Sequence, residues 1–217
     1  MDEQGIIRLY KDRIRIFLII YFFSEDYSEP ENPKYKKVFR SEVKIQKIDF
    51  LLRNPDYLAY ELLNIAKEDN TVKTEIKKII KEIFSSKEPE LKRLEMEKFL
   101  FGAYEDIDDV IGFLESIRLI KFSSNKNTIL KTIEKQYFIT ELAVEKVKNN
   151  LHTLSTLKWY VERCNLIKRF FGDMSGSQLK ISQYKIDEYR NTSYNDYIKS
   201  IQNKVKEEFT ILYGDEI

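Results

Sequence analysis

The stretch that decides the fold reads GFLESIRLIKF (Gly112–Phe122) and, after a polar interval, KQYFITELAVEKV (Lys135–Val147). Apolar residues recur every three or four positions between Asp106 and Leu119. They are Ile107, Val110, Ile111, Leu114 and Ile117. Because this spacing places the apolar side chains on one face of a helix, the stretch predicts an amphipathic helix that leads directly into the apolar segment beginning at Ile120.

The segment after this helix is typical of a hairpin. Ile120–Ser123 is expected to form a short strand, Ser124–Glu134 a polar loop and Gln136–Ile139 a second strand. Thr140 is a good N-cap for a further helix that runs to Leu151. Helix, strand, polar loop, strand and helix is the order typical of a winged helix, in which the two strands form the wing. An ordinary α+β hairpin is the alternative interpretation.

The rest of the chain favours helix over sheet. Six glycines and four prolines are few for 217 residues, and Lys, Glu, Ile and Leu are abundant. We therefore predict a mainly α fold, a helical protein containing a winged-helix-like unit with a short two-stranded wing. We expect an N-terminal helical region at residues 1–88, the winged-helix-like region at 89–151 and a C-terminal helical region at 152–217, together in one compact unit.

Several residues predict where helices begin and end. Ile6–Phe23 is apolar nearly all round, which is typical of a central helix, whereas Ser24–Lys37 is predicted to be an exposed loop. Ser41 is expected to cap a second helix and Asp56 a third. A further helix is predicted over Pro89–Gly102, because proline suits a first helical turn and glycine a helix end.

The charge balance and the lone cysteine limit the classes of function. Lys and Arg total 37 and Asp and Glu total 36, whereas a dedicated nucleic-acid-binding domain usually has a basic excess. One cysteine, Cys164, and one histidine, His152, cannot complete a zinc site, and a single cysteine fits a reducing compartment. The apolar run Ile14–Phe23 is about half of a ~20-residue membrane span. We therefore predict a cytoplasmic protein with no metal site and no membrane contact.

The sequence contains no evident catalytic motif. GDMSGS at Gly172–Ser177 lacks the Lys-Ser or Lys-Thr that ends a phosphate-binding loop, so a turn is expected there. The acidic cluster within Glu105–Asp109 is expected at a helix N-terminus, where the helix dipole stabilises negative charge. No supporting motif surrounds Cys164 or His152 as a catalytic pair. We therefore predict that the protein is not an enzyme and needs no cofactor.

The predicted winged helix raises the question of DNA binding. A recognition helix needs Arg, Lys, Asn or Gln at its exposed N-terminal positions, but the aspartates of Asp106–Asp109 would repel phosphates. The predicted wing instead carries lysines that are candidate contacts to a nucleic-acid backbone. These are Lys121, Lys126, Lys131 and Lys135. A solvated basic loop with no nucleic-acid role is the alternative.

Three phrases taken together resemble a known family. They are RIRIFLIIYFF (Arg13–Phe23), VKIQKIDFLLRNPDYLAYELL (Val43–Leu63) and RCNLIKRFFGDMSGSQLK (Arg163–Lys180), the last followed by EYRNTSYND (Glu188–Asp196). In combination they are similar to the small middle components of bacterial ABC-three-component systems, which include the C subunit of Lamassu anti-phage defence. The resemblance extends from the first helix to about Asp196, and none of the phrases is a catalytic signature.

The resemblance implies an accessory subunit without catalytic residues. Such subunits lie between an SMC-like ATPase and an effector, often a nuclease, and help to hold the effector inactive until the ATPase senses foreign DNA. A bridging subunit of anti-phage or anti-plasmid immunity is therefore expected, with weak, non-sequence-specific or indirect contact to DNA. A stand-alone winged-helix transcription regulator is the alternative. The candidate interface residues are the large aromatics Tyr10, Tyr21, Tyr57, Tyr60 and Trp159.

Overall fold

The computed structural model of the protein describes residues 3–100, 102–126, 132–150 and 155–217. These residues are mainly helical with a small antiparallel sheet, as predicted. The chain divides into two compact units. Unit 1 comprises Met1–Asp49 and Asp106–Gly176, and unit 2 comprises Phe50–Glu105 and Ser177–Ile217. None of the described helices combines the length and the apolar character needed to cross a membrane.

The helices are α1 (Glu3–Phe23), α2 (Glu42–Arg53), α3 (Pro55–Glu68), α4 (Lys73–Ser85), α5 (Glu88–Leu91), α6 (Asp108–Ser116), α7 (Glu141–Asn150), α8 (Ser155–Phe171), α9 (Gly176–Lys185), α10 (Asp187–Asn191) and α11 (Gln202–Tyr213). The strands are β1 (Glu25–Asp26), β2 (Tyr35–Phe39), β3 (Lys98–Phe99), β4 (Gly102–Ala103), β5 (Ile120–Lys126) and β6 (Thr132–Thr140).

Unit 1 contains a four-stranded antiparallel sheet in the order β1-β2-β6-β5. β5 and β6 form the predicted hairpin, but both strands extend into the stretch predicted as a polar loop. The hairpin differs from the predicted two-stranded wing because β2 pairs with β6 and β1 pairs with β2. Val38 of β2, Ile120 of β5 and Ile139 of β6 are buried, so these three strands contribute side chains to the core of unit 1.

The prediction of an exposed loop over Ser24–Lys37 is wrong at both ends. β1 occupies Glu25–Asp26, and β2 begins at Tyr35. The β2 sequence, YKKVF, is short and basic and shows no clear alternation of apolar and polar residues. Its extended conformation follows from pairing with β6, a partner far along the chain, and such pairing commonly outweighs local strand preference.

Helix α1 covers the predicted first helix, but only its second half has the predicted central position. Ile16 and Ile20 are buried, and Arg15 is buried beside them. The Arg15 Nε donates a hydrogen bond to Asp49 Oδ1 at 2.5 Å, and its Nη1 donates to Asp12 Oδ1 at 2.6 Å. Burial alone would lower the pKa of Arg15, but the two carboxylates raise it above its ordinary value. The guanidinium therefore remains charged inside unit 1.

Both predicted N-caps of unit 1 are confirmed. The backbone N–H of Lys44 donates to Ser41 Oγ at 3.2 Å at the start of α2. The N–H of Ala143 donates to Thr140 Oγ1 at 3.2 Å at the start of α7. Each hydroxyl satisfies an N–H group that has no partner within its helix, which is the usual contribution of a cap.

Asp56 was predicted to cap α3, and this prediction is wrong. Asn54 occupies the N-cap position and Pro55 takes the first helical position, so Asp56 lies inside the first turn. Asp56 is fully buried in unit 2, where its Oδ2 accepts hydrogen bonds from Ser200 Oγ and from the N–H of Ile201, both at 2.8 Å. The carboxylate therefore anchors the start of α11 rather than the start of its own helix.

The helix predicted over Pro89–Gly102 is also wrong. Among the described residues there, only those of α5 are helical, and β3 (Lys98–Phe99) pairs antiparallel with β4 (Gly102–Ala103). Gly102 pairs with Phe99 and has a φ of +94°. That φ is readily accessible only to glycine, so Gly102 serves the tight reversal of the hairpin and does not end a helix.

Candidate protein-interaction surface

The hairpin of β5 and β6 does not bring Lys121 and Lys135, two of the predicted lysines, to one surface. In the register of the hairpin, Lys121 pairs with Phe138, whereas Lys135 pairs with Ser124. Since side chains alternate between the two faces of a strand, Lys135 lies on the face that carries buried Ile120, and Lys121 lies on the opposite face. Two of the four candidate lysines thus face opposite sides of the sheet.

Each of these two lysines contacts a carboxylate. Lys121 Nζ lies 2.5 Å from Glu115 Oε1, and this hydrogen bond raises the pKa of Lys121. Lys135 pairs with Glu42. The side chain of Lys126 and the whole of Lys131 lie outside the described residues. A lysine that is already neutralised by a carboxylate contributes less to the attraction of phosphate groups.

Cys164 and Asp106, two of the residues considered for chemistry, have structural surroundings. Cys164 is fully buried, and burial, with a smaller contribution from Asp49, raises the pKa of its thiol to about 12, so the prediction of a buried cysteine is confirmed. Asp106 Oδ1 accepts the N–H of Asp108 at 2.9 Å just before α6. His152 lies outside the described residues. Among the residues that the structure describes, no three of His, Cys, Asp and Glu form a group that could hold a metal ion.

The first four residues of GDMSGS, Gly172–Ser175, form a turn between α8 and α9, as predicted, and the last two residues begin α9. The N–H of Gly172 donates to Lys168 O at 2.8 Å, and Lys44 Nζ donates to Gly172 O at 2.5 Å. A Cβ placed on Gly176 would lie 2.7 Å from the backbone N of Lys44. Glycine is therefore needed here because the start of α9 approaches the backbone of α2 closely.

The most unusual surface of unit 1 is a row of apolar side chains along the outer face of α1. The row consists of Ile6, Ile7, Tyr10, Ile14, Phe17 and Tyr21, and we call it the α1 stripe. Ile6 is 44%, Ile7 47%, Tyr10 56% and Ile14 37% exposed, and the rings of Phe17 and Tyr21 are half-buried. Residues three and four apart are neighbours on a helix, so these side chains are continuous.

The α1 stripe is long enough to accept another helix. From Ile6 to Tyr21 it extends about 22 Å at 1.5 Å per residue. The solvent-facing side of a helix in a globular protein is normally polar, and a continuous exposed apolar patch commonly marks an interaction site. The stripe is therefore a candidate docking surface for a protein.

The margins of the α1 stripe carry positive charge. Lys11 is exposed, and the guanidinium of Arg13 lies 3.6 Å from the ring centroid of Phe113 and 5.5 Å from that of Tyr10. The nearby acidic residue Asp12 is bound to Arg15 on the inward side of the helix. An apolar seam between two cations favours a partner that combines apolar and acidic residues.

The five aromatic interface candidates fall into two groups. Tyr10 and Tyr21 belong to the α1 stripe. The prediction of Tyr57 as an exposed interface residue is wrong, because its side chain is fully buried in unit 2 and its hydroxyl donates to Lys199 O at 3.0 Å. Tyr60 and Trp159 are half-buried beneath cationic side chains, Lys204 at 5.2 Å and Arg163 at 5.6 Å from the respective ring centroids. Only the first group is part of a continuous apolar surface.

Sequence reasoning did not identify the other members of the α1 stripe. The apolar character of Ile6–Phe23 on nearly every side predicts a central helix and does not distinguish Ile7, Ile14 and Phe17 from the buried residues. The spacing of these residues distinguishes them from the buried residues of α1. Intervals of three, four, three and four residues separate Ile7, Tyr10, Ile14, Phe17 and Tyr21. The residues between them include Arg8, Lys11 and Asp12, which a fully buried helix would not carry.

Unit 2 has a separate cluster of exposed apolar residues around β3. Phe99, Leu100, Tyr194 and Tyr197 are all exposed, and the ring centroids of Phe99 and Tyr194 lie 6.3 Å apart. Hydrogen bonds from Lys98 N to Asp196 O and from Asn195 N to Lys98 O hold the two segments together. This cluster is smaller and less regular than the α1 stripe.

Comparison with protein-family models, with curated proteins and with solved structures found no match to this chain.

Proposed function

We propose that the protein is a non-catalytic accessory subunit that binds partner proteins through the α1 stripe. In this proposal it acts in the cytoplasm and links an SMC-like ATPase to a nuclease-type effector, whose activation it helps to control in anti-phage or anti-plasmid immunity. The observation that carries the proposal is the continuous apolar row on the outer face of α1, of which Ile7 and Tyr10 are the most exposed members.

The element order of unit 1 supports a winged-helix class for this subunit. When residues 50–105 are set aside, α1, β2, α2 and α6 precede the hairpin of β5 and β6. β2 pairs with β6, so the strand between the first two helices joins the hairpin in one sheet. In this proposal unit 2 contains an insertion between the second and third helices of a winged helix.

The geometry favours a protein partner over duplex DNA. In a winged helix, α6 would be the recognition helix, but its first turn carries the exposed carboxylates Asp108 and Asp109. These would repel phosphates, and Lys121 and Lys135 on the hairpin are already paired with carboxylates. An apolar surface with cationic margins, in contrast, suits a protein helix.

The test is copurification with the products of neighbouring genes, followed by identification of the bound proteins by mass spectrometry. We expect the tagged chain to retain an ATPase with long coiled coils. Tyr10→Asp should reduce this retention at least about tenfold, because a charge in the centre of an apolar interface is left desolvated. Ile211→Asp is the matched control, since Ile211 is an 80% exposed apolar residue of unit 2.

Three outcomes would contradict the proposal. The first is a chain that retains no such ATPase. The second is an equal loss of binding in Tyr10→Asp and Ile211→Asp, with both variants folded by circular dichroism. The third is specific binding to its own promoter at physiological salt, which would support the transcription-regulator alternative.

A further inference from the structure

The spacing of the α1 stripe defines a heptad register. Ile7 and Ile14 occupy positions a, and Tyr10 and Phe17 positions d, of two successive heptads, and Tyr21 occupies position a of the next. Ile6, at position g, lies beside this row, but from Ile7 to Tyr21 the exposed apolar residues of the stripe are confined to positions a and d. Such a row is narrower than the apolar face of an ordinary surface helix and is typical of a coiled-coil seam. The exposed face of α1 therefore has the geometry of one half of a helix pair.

The same register assigns the two cations at the margins. With Ile7 at position a, Lys11 falls at position e and Arg13 at position g. Charged residues at e and g set the choice of partner in coiled coils, because they lie beside the seam and face the e and g residues of the other helix. In the second heptad these positions are Leu18 and Ile20, which are buried in unit 1.

The one acidic residue between Ile7 and Tyr21, Asp12, does not offset these cations at the seam. Asp12 falls at position f, on the far side from the seam, and it contacts Arg15 at 2.6 Å and Arg8 at 3.9 Å. The exposed heptad between Ile7 and Arg13 therefore presents an apolar seam with a positive charge on each side.

We propose that the α1 stripe binds a heptad-patterned helix of a partner protein that carries Glu or Asp at the positions facing Lys11 and Arg13. The inference rests on the proposed function and names the kind of segment that its partner supplies. Charge complementarity favours this occupant over a second copy of the chain. An antiparallel second copy would place Lys11 opposite Lys11 and Arg13 opposite Arg13, and like charges facing each other are destabilising.

The shape of the stripe favours a helix over a lipid surface. A helix that lies in a membrane interface presents a broad apolar face and a large polar face. From Ile7 to Tyr21 the apolar row is one seam wide, and the flanking positions of its second heptad belong to the core of unit 1. Side chains at positions a and d make the most packing contacts when each inserts between four side chains of a facing helix.

The probes are two fluorescein-labelled four-heptad peptides with Ile at a and Leu at d. One has Glu at every e and g position, and the other has Lys there. Binding to the full chain is measured by fluorescence anisotropy at low and high salt. We expect the acidic peptide to bind about tenfold more tightly than the basic peptide at low salt, with a smaller difference at high salt.

Charge reversal on α1 makes the test specific. Lys11→Glu/Arg13→Glu should reverse the preference between the peptides, and Tyr10→Asp should abolish binding of both. Because Arg13 also contacts the Phe113 ring, Lys11→Glu alone is the second variant, since Lys11 is exposed and its replacement leaves that contact intact. The single variant should reduce the preference about threefold.

Four outcomes would overturn the inference. Two are the absence of peptide binding and equal binding of both peptides. A third is a dimer of the chain that Tyr10→Asp converts to a monomer in sedimentation velocity, which would make a second copy the occupant. The fourth is binding to phosphatidylserine vesicles that the same variant abolishes. If copurification depends on Tyr10 but the peptides show no charge preference, the proposed function stands and this inference fails. If the acidic peptide binds selectively but no ATPase copurifies, this inference stands and the proposed function fails.

Discussion

Replacement of Arg15 by Met should destabilise unit 1 strongly. The side chains of Arg15 and Asp49 are 1% and 2% exposed, and they are joined at 2.5 Å. Met has a similar length and no charge, so the substitution removes the cation and leaves the carboxylate of Asp49 in the interior. The ion pair between Arg15 and Asp12 is lost at the same time.

The expected magnitude follows from the burial of the pair. Removal of one partner from a buried ion pair typically costs about 3–5 kcal/mol, because the other charge stays in the interior without that counter-ion. With a urea m-value of about 2 kcal/mol/M, this corresponds to a midpoint lower by about 2 M. An exposed pair would lose much less, since surface ion pairs contribute about 0–1 kcal/mol.

The chain provides a built-in reporter for unit 1. Trp159 is the single tryptophan of the sequence and lies in α8, which packs against α1 in unit 1. Its fluorescence during urea unfolding therefore reports unit 1, whereas far-ultraviolet circular dichroism reports the helices of both units. In Arg15→Met, the urea midpoint measured by fluorescence should fall. The urea midpoint of the part of the dichroism transition that reports unit 2 should fall less.

Two matched variants test the reasoning. Arg8→Met removes a cation whose side chain is 65% exposed and which lies 3.9 Å from Asp12, and it should change the free energy of unfolding by no more than about 0.5 kcal/mol. Arg15→Met/Asp49→Leu removes both buried charges and should recover most of the lost stability. If Arg15→Met behaves like Arg8→Met, or if the double variant is no more stable than the single one, the pair does not have the assigned role.

Three further predictions concern buried groups and glycines. Burial raises the pKa of Glu61 above the ordinary 4.5, although a hydrogen bond from Ser182 opposes this, so the native state keeps its proton to higher pH than the unfolded state. The free energy of unfolding should therefore fall as pH rises between these two pKa values, and Glu61→Gln should remove that fall in a pH series of urea unfolding. Cys164 should resist iodoacetamide at pH 8 until urea unfolds the chain, and mass spectrometry that finds rapid alkylation of the native protein would contradict its burial. Gly176→Ala should cost about 1–3 kcal/mol in urea unfolding because its Cβ would meet the α2 backbone, whereas Gly112→Ala, with nothing within 4 Å, should stabilise by up to about 1 kcal/mol.

The parts of the fold that the sequence predicts correctly are those determined by local patterns. The helix before β5, the hairpin and the helix after it follow from helical spacing and from the cap at Thr140. Ser41 predicts the start of α2 for the same reason. The missed elements depend on distant partners: β2 is extended because it pairs with β6, and β3 because it is bonded to the segment around Asp196.

The candidate site was only partly predictable for a related reason. A lysine count over the hairpin cannot show that Lys121 and Lys135 point to opposite faces, because that depends on the register of pairing. Likewise, apolar residues on every side of α1 do not indicate which of them the core covers. The heptad interval from Ile7 to Tyr21 was present in the sequence, but the exposure of that face could be recognised only once unit 1 was folded.

The buried carboxylate of Asp56 has a consequence for the order in which the chain folds during synthesis. Its hydrogen-bond donors, Ser200 Oγ and the N–H of Ile201, follow it by 144 and 145 residues. The segment around α3 emerges from the ribosome long before those donors exist, so its carboxylate remains hydrated while the residues of unit 1 are completed. Unit 2 can close only after α11 has been translated, and a nascent chain that stops before Ser200 would expose the apolar face of α3 to chaperones and proteases.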